Sequence, residues 1–390
     1  MGIMTGLEED IDRGPEGGAI LCYEGTGVEE EDTSSEGEEI TDPFDPTKIR
    51  VESRQMTVDL LLKRIEESEI NLNTGFQRKP GIWKEPVQSR LIESLLIRIP
   101  LPAFYLDATD DEKWLVVDGL QRLTTLDRFV LKGNLQLSGL EFLKDLNGKT
   151  YSELPRKFQR RILETAIIVY LIQEGTPARA KFNIFKRINT EGLPLSPQEI
   201  RHALNQGQVT DYLAKLAASK EFKKATDNGI RDDRMADREC VLRFLAFTVT
   251  PYQEYNESRF KDLDTFLNDS MAALNKMTDE ELSGLEQRFL RAMNAAHRLF
   301  DRYAFRKMPT MAYRYPINKA VFEAWSANLG RLDDAQVERL VSRKEAVRGE
   351  FMKLNRDMDF FDAISQGTGD SRKVKMRFSE IERLIARVLE

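Results

Sequence analysis

Strand-forming patterns stop early in this chain of 390 residues. The last apolar, β-branched run is Ala166 to Ile172, and from Thr210 onward the spacing is almost entirely helical. Before that, an extended stretch at Ile70 to Asn73 precedes two strands, Ala103 to Leu106 and Trp114 to Val117, separated by the acidic turn Asp107 to Glu112. Strands gathered toward one end, with helices following, predict the α+β class. The expected plan is an α+β domain over residues 47–205 and an all-α helical domain over 206–390. No fixed-period repeat is visible, which argues against a solenoid.

The first 46 residues are a different kind of sequence. They hold fifteen Asp and Glu against one Arg, a net of −14, so the remaining 344 residues carry +7 although the whole chain is −7. Such a segment cannot bury enough apolar area to offset its ordering entropy, and residues 1–46 are expected to be a disordered acidic tail. The tail reads either as a solubiliser or as a competitor for basic patches on the body. Those patches are Arg156-Lys157 with Arg160-Arg161, the trio Arg231, Arg234 and Arg238, and Arg372 to Arg377. At this charge, DNA is a plausible partner of the body but not a demanded one.

Composition removes several chemistries. Two cysteines, Cys22 and Cys240, give neither a disulfide framework nor a zinc module, and Cys240 lies in an apolar run where a buried thiol is expected. Two histidines, His202 and His297, are too few for a His-rich metal centre. No apolar run approaches the roughly 20 residues of a membrane span. The N-terminus lacks the basic start and apolar stretch of a secretory signal, so a cytoplasmic location is expected.

Local signals fill in the first half. Thr57 can cap a helix bearing Val58, Leu61, Leu62 and Ile65 on one face. Val87, Leu91, Ile92, Leu95 and Leu96 mark a helix from Glu85, ended by Pro100. Pro177 can open a helix to Ile188 with Phe182, Phe185 and Ile188 inward, and Ser196-Pro197-Gln198-Glu199 starts another in capping-box form.

The strongest chemical signal is Trp114 to Leu126. A buried strand runs into Asp118-Gly119 and directly into a helix, whose free N–H groups and dipole favour an anion. Gly119 lets the backbone approach a phosphate, Arg122 one turn in can offer a planar fork, and Thr124 and Thr125 add hydroxyls. The same residues also suit an ordinary cap and turn.

Asp118-Gly119-Leu120-Gln121-Arg122-Leu123-Thr124-Thr125-Leu126 resembles the D-G-Q-Q-R-x-T-T-L signature of the GmrSD-type restriction N-terminal domain family, related to the ParB/sulfiredoxin fold. Three further stretches match in order: Phe76-Gln77-Arg78 with Trp83, Leu91 to Leu96 through Ile99-Pro100-Leu101-Pro102, and Phe185 to Ser196 around Ile188-Asn189-Thr190-Glu191-Gly192. The resemblance covers about 50–205. It implies a nucleotide-handling domain of bacterial systems against foreign DNA, with a nucleoside triphosphate and Mg2+ as ligands and DNA or a nuclease protein as partners. It places Asp118, Gly119, Gln121, Arg122 and Thr124 at the nucleotide, Asp118 and Arg122 in catalysis, Gln77 and Arg78 on a preceding loop, and Asn189 and Gly192 on a facing loop. Nucleoside triphosphate hydrolysis is the implied activity; a non-catalytic, nucleotide-switched module is the alternative, and DNA nicking has the least support.

Two departures stand out. Leu120 replaces the first Gln of the signature, at a position that can face ligand or core. Many relatives carry a C-terminal HNH nuclease, whereas the only histidine after residue 205 is His297, so that module is expected to be absent. Among carboxylates, Asp118 is the better metal candidate. Glu199 is explained by its capping box, and Glu93 reads as a surface or structural glutamate or, alternatively, as a catalytic or metal-binding one.

Overall fold

The computed structural model describes residues 27–29, 48–72, 83–188, 195–232, 234–256, 258–260 and 262–390. Among them the N-terminal domain is built on one mixed sheet, in the order β1 (Val51–Thr57), β5 (Ala166–Gln173), β3 (Phe104–Ala108), β4 (Trp114–Asp118) and β2 (Ile70–Asn71). β1 is antiparallel to β5 and β3 to β4, whereas β5–β3 and β4–β2 are parallel. Helices α1 (Val58–Glu66), α2 (Glu85–Leu96), α3 (Leu120–Leu126) and α4 (Arg156–Glu164) cover one face. Their core gathers Leu61, Ile92, Leu95, Phe104, Val116, Leu123 and Val169. Helices α5 (Ala178–Ile188) and α6 (Pro197–Leu204) cover the other with Phe182, Phe185 and Ile200 over Val117 and Ile172. The central strands are therefore apolar on both faces, which explains why β4 and β5 read as near-continuous hydrophobic runs.

Helices α7 (Gln208–Ala217) through α16 (Ser371–Leu389) form the second half around a separate, larger core. The α+β expectation holds. Thr57 and Ser196 cap their helices as read, accepting the N–H of Leu60 and Glu199. Cys240 is buried. No helix among the described residues is long and apolar enough to cross a membrane.

Three boundaries differ from the sequence reading. β1 was not anticipated: it is a solvated edge strand in which only Met56 is buried, so it shows no apolar alternation. The spacing from Glu280 to Arg306 predicts one helix, but the helix ends at Phe300, because Asp301 and Phe305 take positive φ of 52° and 62°. The spacing from Asp334 to Lys353 likewise predicts one helix, where the structure has two, α13 (Asp334–Ser342) and α14 (Lys344–Leu354), broken at Arg343. Within the acidic segment, Gly27–Glu29 is not featureless: Val28 forms a parallel bridge with Ile317 of the helical half.

His202 on α6 gives a pH prediction. Burial, reinforced by Arg238, lowers its pKa from 6.5 to about 4. Between those values the unfolded chain binds a proton that the folded chain refuses. Stability is therefore full above the unfolded pKa and is lost as pH falls toward the folded one, by roughly 3 kcal/mol in all. Urea unfolding at about pH 7 and pH 5 should show this slope, and His202→Gln should flatten it. An equal slope in the variant would assign the effect to other groups.

Candidate functional site

The Asp118 turn is held by the Phe104 ring of β3 and by Arg122 of its own helix. Gly119 adopts φ 100° as the N-cap of α3 and has no side chain with which to cap that end. A Cβ at this position would lie 2.9 Å from Phe104 Cε1 and closer still to Cδ1. Glycine is thus required twice, for its backbone region and for the ring of β3 packed beneath it.

Arg122 is 9% exposed. Its guanidinium lies 4.5 Å from the Phe104 ring centroid and donates to the carbonyls of Pro102 and Ala103, the latter at 3.1 Å. It also donates to Asp118 Oδ2 at 2.8 Å. Both terminal nitrogens are therefore directed into the protein, not outward as a phosphate fork. What they do is join two of the matched motifs: the Ile99-Pro100-Leu101-Pro102 element supplies the carbonyls, and Asp118 the carboxylate. The Asp118 side chain remains 34% exposed, so a fixed carboxylate faces solvent at the end of β4.

Other sequence candidates fall differently. Gln121 is partly buried, beside the turn. Thr124 is buried, and its hydroxyl has no hydrogen-bond partner among the described residues. Thr125 donates to Gln121 O at 2.7 Å inside its own helix. Neither hydroxyl is presented at the turn. Leu120 is 7% exposed and belongs to the core with Phe104 and Leu123, which settles its orientation. Gln77, Arg78, Asn189 and Gly192 lie outside the described residues. Trp83, at the end of the first of those segments, has its carbonyl held at 2.6 Å by the buried Gln88 amide, whose oxygen accepts from Arg128 at 2.9 Å.

Glu93 is structural. Its carboxylate, 3% exposed, accepts the backbone N–H groups of Glu141, Phe142 and Leu143 at 3.0, 2.8 and 2.7 Å. Burial raises its pKa, but those three bonds and Arg90 outweigh it and hold the group below the usual carboxylate range. Glu199 completes the capping box with Ser196 and lies 3.6 Å from Arg234. Sequence reasoning missed one buried group: Lys181 of α5 reaches both Asp107 oxygens, at 3.1 and 3.0 Å, and pins α5 to the end of β3. Its i+4 position before Phe185 was the available signal. Among the described residues no group of three or more His, Cys, Asp or Glu is placed to hold a metal.

A search of curated proteins finds no match to the chain. The family model described as the N-terminal domain of the GmrSD restriction endonuclease matches residues 59–205. That span runs from the first helix of the α+β domain to the end of α6 and contains the Asp118 turn with both of its supports. Residues 59–205 thus match the GmrSD-type restriction N-terminal domain family that the four ordered motifs resemble.

Proposed function

We propose that this domain binds a nucleoside triphosphate at the Asp118–Arg122 turn and hydrolyses it, with the helical half passing the result to DNA or to a nuclease partner. The observation that carries the reading is Asp118. A carboxylate on the last residue of a strand is fixed by the buried Arg122, is still a third open, and stands beside a helix start whose N-cap, Gly119, has no side chain. A hard cation at a triphosphate takes one or two carboxylates together with phosphate oxygens, so one such group suits Mg2+, which would neutralise phosphate charge. Within this reading Asp118 holds the ion, the N–H groups after Gly119 meet phosphate, and Arg122 positions Asp118. A ParB/sulfiredoxin-like ancestry belongs to the same proposal.

The test is nucleotide binding and phosphate release with and without Mg2+. Asp118→Asn preserves shape and removes the charge. It should lower Mg2+-dependent nucleotide affinity by one to two decades, equivalent to about 1.5–3 kcal/mol, and abolish phosphate release while the urea midpoint barely moves. Unchanged affinity in the folded variant would remove the assignment. Tight binding without turnover in the wild-type chain would select the non-catalytic switch instead.

A further inference from the structure

The helical half holds a lysine in a place where lysine is seldom stable. The side chain of Lys307 is 8% exposed, and its ammonium lies 4.9 Å from the centroid of the Phe361 ring. A buried ammonium needs a carboxylate or a set of acceptors. Its carboxylate arrives from the far end of the chain: Glu29 Oε1 accepts from Lys307 Nζ at 2.6 Å.

The second Glu29 oxygen is also read. Oε2 accepts from Asn318 Nδ2 at 3.0 Å. Asn318 is 3% exposed and doubly fixed, its Oδ1 capping α12 (Lys319–Gly330) through Val321 N and its Nδ2 also donating to Ile364 O. The backbone completes the grip: Glu29 N donates to Ile317 O at 2.7 Å, and Ile317 N donates to Gly27 O at 3.0 Å. On its other side Ile317 bridges Arg306, so Gly27–Glu29 adds itself to a small β-ladder as an outer strand. Gly27 sits at φ 119°, a region that favours glycine. Each of the three residues thus has its own requirement: backbone freedom, register and charge.

We propose that Lys307, Asn318 and the edge of Ile317 form a peptide-docking site for an extended acidic segment, which the chain's own Gly27–Glu29 fills in cis. Two backbone bonds, one ion pair and the Asn318 bond barely offset the ordering of three residues, so the segment alone binds weakly. Delivery along the same chain changes this. Residues 30–47 join Glu29 to Lys48, three residues before β1, so the segment and its site belong to one chain. A connection within one chain supplies an effective concentration on the order of millimolar. The site is therefore full in the intact chain and exchangeable, and it does not depend on the nucleotide reading.

Amide exchange in the full-length protein tests it, read at Ile317. Glu29→Lys should speed exchange there at least tenfold. The swap Glu29→Lys with Lys307→Glu should restore protection, and so should millimolar synthetic peptide spanning residues 25–33 added to the Glu29→Lys chain. Recovery by either route supports the site and also shows that the fold survives. Equal exchange in wild type and Glu29→Lys, or a loss that neither route recovers, overturns it.

Discussion

Gly119→Ala is expected to lower the stability of the N-terminal domain by about 2–5 kcal/mol, although it adds a single methyl group. A left-handed backbone costs an L-residue about 1–2 kcal/mol, and forcing a methyl into a packed core adds about 1–3. Both terms operate here, because Gly119 has φ 100° and its missing Cβ would meet the Phe104 ring. The urea midpoint should fall with little change in slope. Phe104→Leu removes part of the obstruction but leaves the backbone penalty. The double variant should therefore lose less than the two single losses combined, by about 1 kcal/mol or more. Strict additivity would show that the ring is not what excludes a side chain. Under the proposed nucleotide reading, affinity for the nucleotide should fall in parallel, since Asp118 and α3 are joined through this residue.

What could be read from the sequence here is local, and what could not is remote. The strand, the Asp-Gly turn and the helix after it lie within thirteen residues, so their order was plain from Trp114 to Leu126. The role of Arg122 was not, because the carbonyls it donates to, Pro102 and Ala103, lie 20 and 19 residues upstream. As a result a residue read as a phosphate fork proves to be a buried clamp. Glu93 shows the same limit, with its three N–H donors 48 to 50 residues further on. A glutamate on a helix beside an apolar face carries no mark of what a distant loop will offer it. β1 escaped for another reason: an edge strand with one solvated face and few buried residues has no periodicity to detect. The acidic segment was read by its charge alone, which hides the fixed place of Glu29 beside Lys307 and Asn318.

The helical half contains a chain of buried charges that ties it to the α+β domain. Arg201 on α6, 1% exposed, donates to Asp264 at 2.6 Å and lies 3.8 Å from Glu239 of α9 (Ala236–Val249). Glu239 is buried, 5% exposed. Burial raises its pKa, yet Lys319, Arg243 and Arg201 together hold it well below the usual carboxylate range. Its stabilisation is present above the unfolded carboxylate pKa and is lost only as pH falls through the lower folded one. From Glu239 the chain passes through Arg243 to Glu323 of α12 and on to Arg377 of α16. Any signal that shifts α6 moves a charge already engaged with the second domain.

Glu323→Ala should be the costliest substitution in that network, at about 3–5 kcal/mol. Glu323 is 0% exposed, with Oε2 accepting from Arg243 Nη1 at 3.0 Å and Oε1 from Arg377 Nε at 3.1 Å and from Nη2. Removing it takes the carboxylate from two guanidiniums that water cannot reach. Arg243 retains Glu239, and Arg377 retains the carbonyls of Ala363 and Thr368, so the fold should weaken without the network vanishing. Glu323→Gln keeps one acceptor but turns an amide N–H toward a cation, and should fall between wild type and Ala. The decisive variant is Glu323→Met with Arg377→Met, which deletes a charge of each sign and refills the space. A buried pair replaced by apolar side chains is often neutral or better. The double variant should therefore be more stable than Glu323→Ala, as read from urea midpoints at neutral pH. A double variant no better than the single would mean that lost packing, not the stranded charge, sets the cost.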